Sequence, residues 1–256
     1  MKWILWALIF LAFFTPIVYI GKGVDHLDIM KDRYKRALDA GASSAARAIP
    51  YSGKDSIEQT SIGFGDKEQN SNNIIIDKAI ALEWFYRVFY RNLGIEKNAE
   101  AQENIKKYIP MKAIAGFDKL MLADVHDNWI EEIEYQIEYE GTLYLFTMSD
   151  QVKKVATDEW GRDVDFGIEP ETREALINDF IRHKLNGFLN ARENAESNYN
   201  YFINISPNDS EVTENISGIS FIVMVEGMPL PTLNPLKQEK FYAFALGGTE
   251  IYRDNK

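Results

Sequence analysis

Hydrophobic and polar positions divide the chain into three regimes. From Trp3 to Ile20 the sequence WILWALIFLAFFTPIVYI contains no charged side chain. At ~1.5 Å per residue, a helix of this stretch spans roughly 27 Å, close to the ~30 Å hydrocarbon core of a bilayer. Trp3, Trp6 and Tyr19 stand towards its ends, where amphipathic aromatics favour the headgroup layer. The pattern predicts a retained transmembrane signal anchor over residues 1–22, kinked at Pro16. A cleaved secretory signal fits less well, because the run is long and Gly21-Lys22-Gly23-Val24-Asp25 offers no small-residue cleavage site.

The second regime has helical periodicity. Val24, Leu27, Met30, Tyr34, Leu38, Gly41 and Ala45 recur at steps of three or four, one face of an α-helix. Pro50 marks its end, since the residue before a proline is biased away from helical angles. Joined to the apolar run, this predicts one rod of roughly 70 Å, with residues 23–50 as an amphipathic stalk. Its last turns, from Ala37 to Ala48, are almost all small residues. Gly, Ala and Ser let a neighbouring backbone come close, so dispersion contacts accumulate along such a seam. The distal part is expected to pack on the body; the whole stripe is the expected seam for partner subunits.

The third regime, residues 51–256, mixes both periods. Ser52–Asn73 is polar and glycine-containing and reads as a loop. A helix follows with Asp77 as N-cap, Ile80, Trp84, Phe85, Val88 and Phe89 on its apolar face, and Gly94 as C-cap. A shorter helix is expected over Asn98–Tyr108. Met111–Ala115 and Phe117–Ala123 read as strands. Tyr135, Ile137 and Tyr139 alternate with polar neighbours before a Glu140-Gly141 turn and the strand TLYLFTM. Pro170 opens a helix whose face is Leu176, Phe180, Ile181, Leu185, Phe188 and Leu189. YNYFINI, GISFIVMV and KFYAFAL read as closing strands, with Met228–Gln238 as a loop. The expected fold is α+β: a long N-terminal transmembrane and amphipathic helix, then a globular head with a mainly antiparallel sheet packed by helices.

Composition narrows function by exclusion. The net charge of −11 and the lack of any basic block argue against a nucleic-acid partner. Zero cysteines remove disulfides, thiolate metal sites and cysteine nucleophiles. His26, His126 and His183 are scattered, and neither a nucleophile elbow nor a phosphate-binding glycine loop is present. The segment ADVHDNW gathers Asp124, His126 and Asp127, with Glu131 nearby, as the one group of possible metal ligands. Such acidic turns are ordinarily solvated, and Glu131, Glu132, Glu134 and Glu138 read as the wet side of a hairpin. The N-x-S sequons at Asn204, Asn208 and Asn215 bear on function only in a glycosylating secretory pathway. No enzyme, cofactor or metal is expected. The competing reading is a membrane-anchored extracytoplasmic enzyme or ligand-binding domain.

Five blocks, RALDAGASSAARAI, IIIDKAIALEWFYRVFYRNLGI, KKYIPMKAIAGFDKLML, ISFIVMVEGMPLP and YAFALGG, occur in this order behind the apolar helix. This arrangement resembles the TadE/TadG-type minor pilins, type IV pilin-like membrane-anchored proteins of Gram-positive bacteria. The resemblance implies a structural subunit of a surface fibre or of a secretion or conjugation apparatus. It would oligomerise with itself or other pilin-like subunits and hold its C-terminal domain outside the cell membrane. Charge counting around the anchor, with Lys2 on one side and Lys22, Lys31 and Arg33 on the other, leans against export; the resemblance overrides it. One departure from the family is plain. Only Met1-Lys2 precede the apolar run, and no glutamate lies within it, whereas pilins carry a peptidase site and use such a carboxylate to register neighbours. An initiating, tip or anchoring role fits this better than the major subunit.

Overall fold

The computed structural model describes residues 27–49, 76–148, 151–196, 216, 218–230 and 239–248. Its helices are α1 (27–48), α2 (Lys78–Leu93), α3 (Ala99–Lys106) and α4 (Pro170–Glu196). Strands β1 (Met111–Ala115), β2 (Lys119–Ala123), β3 (Trp129–Glu134), β8 (Ser220–Leu230) and β9 (Glu239–Gly248) form one antiparallel sheet in the order β3-β2-β1-β8-β9. Strands β4 (Gln136–Tyr139), β5 (Thr142–Phe146), β6 (Gln151–Lys154) and β7 (Glu159–Arg162) form a second, a simple meander.

The five-stranded sheet is covered on both sides. Phe221, Val223 and Val225 of β8, with Ile114 and Met121, face α1 and α2. Ile222 and Met224, with Met111, Ala113, Leu120 and Leu122, face α4 and the inner side of the small sheet. Double coverage explains why MKAIA and SFIVMV are buried at every position and largely apolar rather than alternating. Each large side chain buried there contributes roughly 1.5–3 kcal/mol.

Local chemistry places the ends of these elements. The Asp77 carboxylate accepts hydrogen bonds from the Ala79 and Ile80 amides at the start of α2. Gly94 closes α2 at φ 74°, a left-handed angle that costs other residues dearly. Glu140 (φ 47°) and Gly141 (φ 75°) make the two-residue turn joining β4 to β5, with the double positive φ of a type I′ hairpin.

Helix α1 is a part of this core. Ala37, Leu38, Ala42, Ala45, Ala46 and Ile49 are fully buried in it. A Cβ on Gly41 would lie 3.0 Å from the Phe85 ring of α2, and one on Gly247 would lie 2.1 Å from the Ala42 carbonyl oxygen. The helix is small there because α2 presses on one flank and the β9 backbone passes beneath.

Three expectations need correction. The rod crossing a membrane is not found: among the described residues no helix is long and apolar enough to do so. The described helix carries Asp28, Lys31, Asp32, Arg33, Lys35 and Arg36 in its first turns, charges that a hydrocarbon layer penalises heavily. The apolar run Trp3–Ile20, Val24, the loop 52–73 and the strand expected at 199–205 lie outside the described residues. The expected single sheet is two, and β8 continues through a bulge at Gly227 (φ 66°) to Leu230, where a loop was expected.

Candidate functional site

The partner-packing stripe turns towards its own head. Leu27, Met30 and Tyr34 are half-buried against the core, with the Tyr34 ring 5.7 Å from that of Phe241, and Leu38, Gly41 and Ala45 are buried. Charged neighbours on α1 fasten it further. The Arg33 guanidinium donates to the Leu93 carbonyl at the end of α2 (2.8 Å), and Lys35 Nζ donates to the Phe244 carbonyl of β9 (2.7 Å). The opposite side of the helix carries Ile29, 63% exposed, and the surface pair Asp32–Arg36.

The polar centre of the molecule lies under α2 and α3. In β1, Met111, Ala113 and Ala115 point to one core, so Lys112 points with Ile114 to the other and is completely buried (0% exposed). It pairs across the ladder with Ala123, the last residue of β2, which brings the following turn alongside it. That turn is built by Asp124, whose carboxylate accepts from the His126 and Asn128 amides at 2.8 and 2.9 Å. Burial pushes the Asp124 pKa up, but these bonds outweigh it and hold it below the ordinary value. Asp127, at φ 64°, then reaches back over β1.

Three groups converge on the Asp127 carboxylate. Lys112 Nζ donates to Oδ1 at 2.6 Å, and the Tyr86 hydroxyl donates to the same oxygen at 2.7 Å. Lys112 Nζ is also 3.4 Å from Tyr86 Oη. Lys106 lies 3.5 Å from Oδ2 and stands over the Tyr86 ring, 4.9 Å from its centroid. Tyr90, stacked on Tyr86 at 5.3 Å, completes the wall; its hydroxyl is buried with no hydrogen-bond partner among the described residues. Burial, then the Asp127 charge, pushes both tyrosine hydroxyls far above the usual phenol range. Burial likewise lowers the affinity of the Lys112 amine for its proton, against the opposing pull of Asp127.

The candidate ligands of ADVHDNW are therefore divided among other tasks. Asp124 shapes the turn, Asp127 holds Lys112, and His126 and Glu131 are exposed. Among the described residues no group of three or more His, Asp or Glu side chains is placed to hold a metal ion. Sequence reasoning missed Lys112, Tyr86 and Lys106. The available signal was a lysine inside the apolar strand MKAIA, followed by acidic residues one hairpin later.

A second buried charge pair braces the other core. Arg173 in the first turn of α4 donates through Nε to Asp163 at 2.5 Å and through Nη1 to the Thr147 carbonyl at 2.9 Å. It ties α4 to the end of β5 and to the short 3-10 turn Asp163–Phe166 after β7. No protein-family model, no curated protein and no solved structure matches the chain.

Proposed function

We propose that this chain is a non-catalytic structural subunit of a membrane-associated assembly, either a pilin-like surface fibre or a secretion or conjugation apparatus. The apolar run Trp3–Ile20 sits in the cell membrane and the α+β body lies outside it. Partners are other pilin-like subunits or further copies of the chain. The observation that carries this reading is the clamping of α1. Residues 21–26 alone separate the apolar run from a helix held to the body by Arg33, Tyr34 and Lys35 and buried from Ala37 onward. A helix locked into the core fixes the direction in which the chain enters the body, which suits a subunit that must be held in one orientation.

Since the inner stripe is taken up by the body, partner contacts fall on the outer side of α1, at Ile29, Asp32 and Arg36. The absence of native cysteines makes single-cysteine variants of the full chain at these positions clean probes. In intact cells, crosslinked adducts are expected at one or more of them. Adducts at none would sink the proposal and favour the anchored enzyme or ligand-binding domain.

A further inference from the structure

We propose that Lys112 and Asp127 are joined by an intramolecular amide bond, formed from the buried pair without any other reactant. The groups needed are already in place. The amine is walled by α2 and the sheet and lies 2.6 Å from Oδ1 of the carboxyl group it would attack. In such a desolvated pair, moving the ammonium proton to the carboxylate, where it rests on Oδ2, leaves two neutral groups, amine and acid, which burial favours over two charges.

Condensation then follows. The Nζ lone pair attacks Cγ of Asp127, a C–N bond forms, and the carbonyl electron pair moves onto Oδ1. The Tyr86 hydroxyl, 2.7 Å from Oδ1, donates to the negative charge developing there. As the carbonyl reforms, the Cγ–Oδ2 bond breaks; Oδ2 leaves as water with a proton from the Lys106 ammonium, 3.5 Å away. The attacking nitrogen returns a proton to Lys106, so Lys106 is unchanged and one water is the only by-product. Fixed juxtaposition of the reactants supplies the driving force that free amine and acid lack, with effective concentrations of about 10⁵ M or more for well-oriented groups. The Asp127 side chain is 20% exposed, which gives the water an exit, while the lysine side of the bond is sealed from solvent. The bond welds β1 to the turn between β2 and β3, and it does not depend on the anchored reading above.

The test is peptide mapping of the purified full-length chain, denatured and digested with trypsin. Lysines at 107, 112, 119 and 153 define the fragments. The expected product is residues 108–119, uncut after Lys112, joined to residues 120–153 and lighter than their sum by one water. Asp127→Ala abolishes this species, and Tyr86→Phe slows its appearance in a time course by about tenfold or more. Because the map is read on denatured protein, the wild-type chain alone decides the matter even where a variant folds poorly. Separate fragments 108–112 and 120–153 of full mass after prolonged incubation would overturn the bond and leave a buried ion pair. Tyr86→Phe linking at the wild-type rate would overturn the part given to Tyr86.

Discussion

The two sheets of this molecule obey different rules. The five-stranded sheet is enclosed between α1 and α2 on one side and α4 with the small sheet on the other. The four-stranded sheet buries Tyr144, Phe146 and Val152 inward and shows Glu138, Leu143, Lys153 and Trp160 outward. In the first, a polar residue must find a partner or be excluded, so Lys112, the fully buried charge of its inner strands, sits in a network. In the second, water serves as partner, and apolar and charged side chains alternate freely. Burial on both faces, more than strand number, sets how strictly each position is specified.

Three substitutions test that contrast. The largest effect is expected where backbone meets backbone. Gly247→Val places a Cβ 2.1 Å from the Ala42 carbonyl oxygen, a clash with no flexible atom to yield. It should cost more than about 3 kcal/mol, beyond the usual range of overpacking, and thermal melting should show a grossly destabilised or unfolded chain. A mild shift would mean that α1 floats on β9. Next comes a matched pair of aromatics. Phe221→Ala on the enclosed sheet should cost about 3–5 kcal/mol by denaturant midpoint. Trp160→Ala on the open face, where the side chain is 47% exposed, should cost under about 1 kcal/mol. Equal losses would break the distinction between the sheets.

The smallest effect lies on the exposed margin of the large sheet. Glu132 of β3 pairs with Lys119 at 2.5 Å and with Lys78, and these bonds pull its pKa from 4.5 to about 2. A carboxylate with a depressed folded pKa contributes stability fully above its unfolded pKa and loses it as pH falls through the folded one. Stability should therefore decline between about pH 4.5 and 2 in the wild type, and Glu132→Gln should flatten that part of the curve. Because the pair is half-exposed, the difference should stay below about 1 kcal/mol. No change in the acid profile would show the pair to be fully screened.

The same contrast decides how much was legible. Strands β1 and β8 stood out as mostly apolar runs, and α2 announced both ends through Asp77 and Gly94. Glu140-Gly141 marked its hairpin. Strands β6 and β7, QVKK and EWGR, are short, polar and wet on one side, so neither carries a period that sequence alone could separate from loop. WIEEIE of β3 read as a charged hairpin face for the same reason. Lys112 was illegible as a centre because its partners come from α2, α3 and a turn beyond β2, and only the fold brings them together. The stripe on α1 was legible as a face, but periodicity names a buried side without naming what covers it. Arg33 and Lys35, which fasten that helix to the body, look in sequence like ordinary solvated charges.

The strand order has a consequence in time. Strand β8 is an inner strand of the large sheet, paired on one side with β1 so that Ala115 meets Ser220, yet it is synthesised after every helix described here. Joining them closes a long loop before their contacts reward the lost chain entropy, which makes this a costly, non-local pairing. Until β8 and β9 arrive, β1 presents an unpaired edge, and the small residues of α1 have no floor beneath them. A nascent chain must therefore be kept from other strands until β8 and β9 are available. The seam of glycine and alanine that makes the finished fold tight is the last part to become protected.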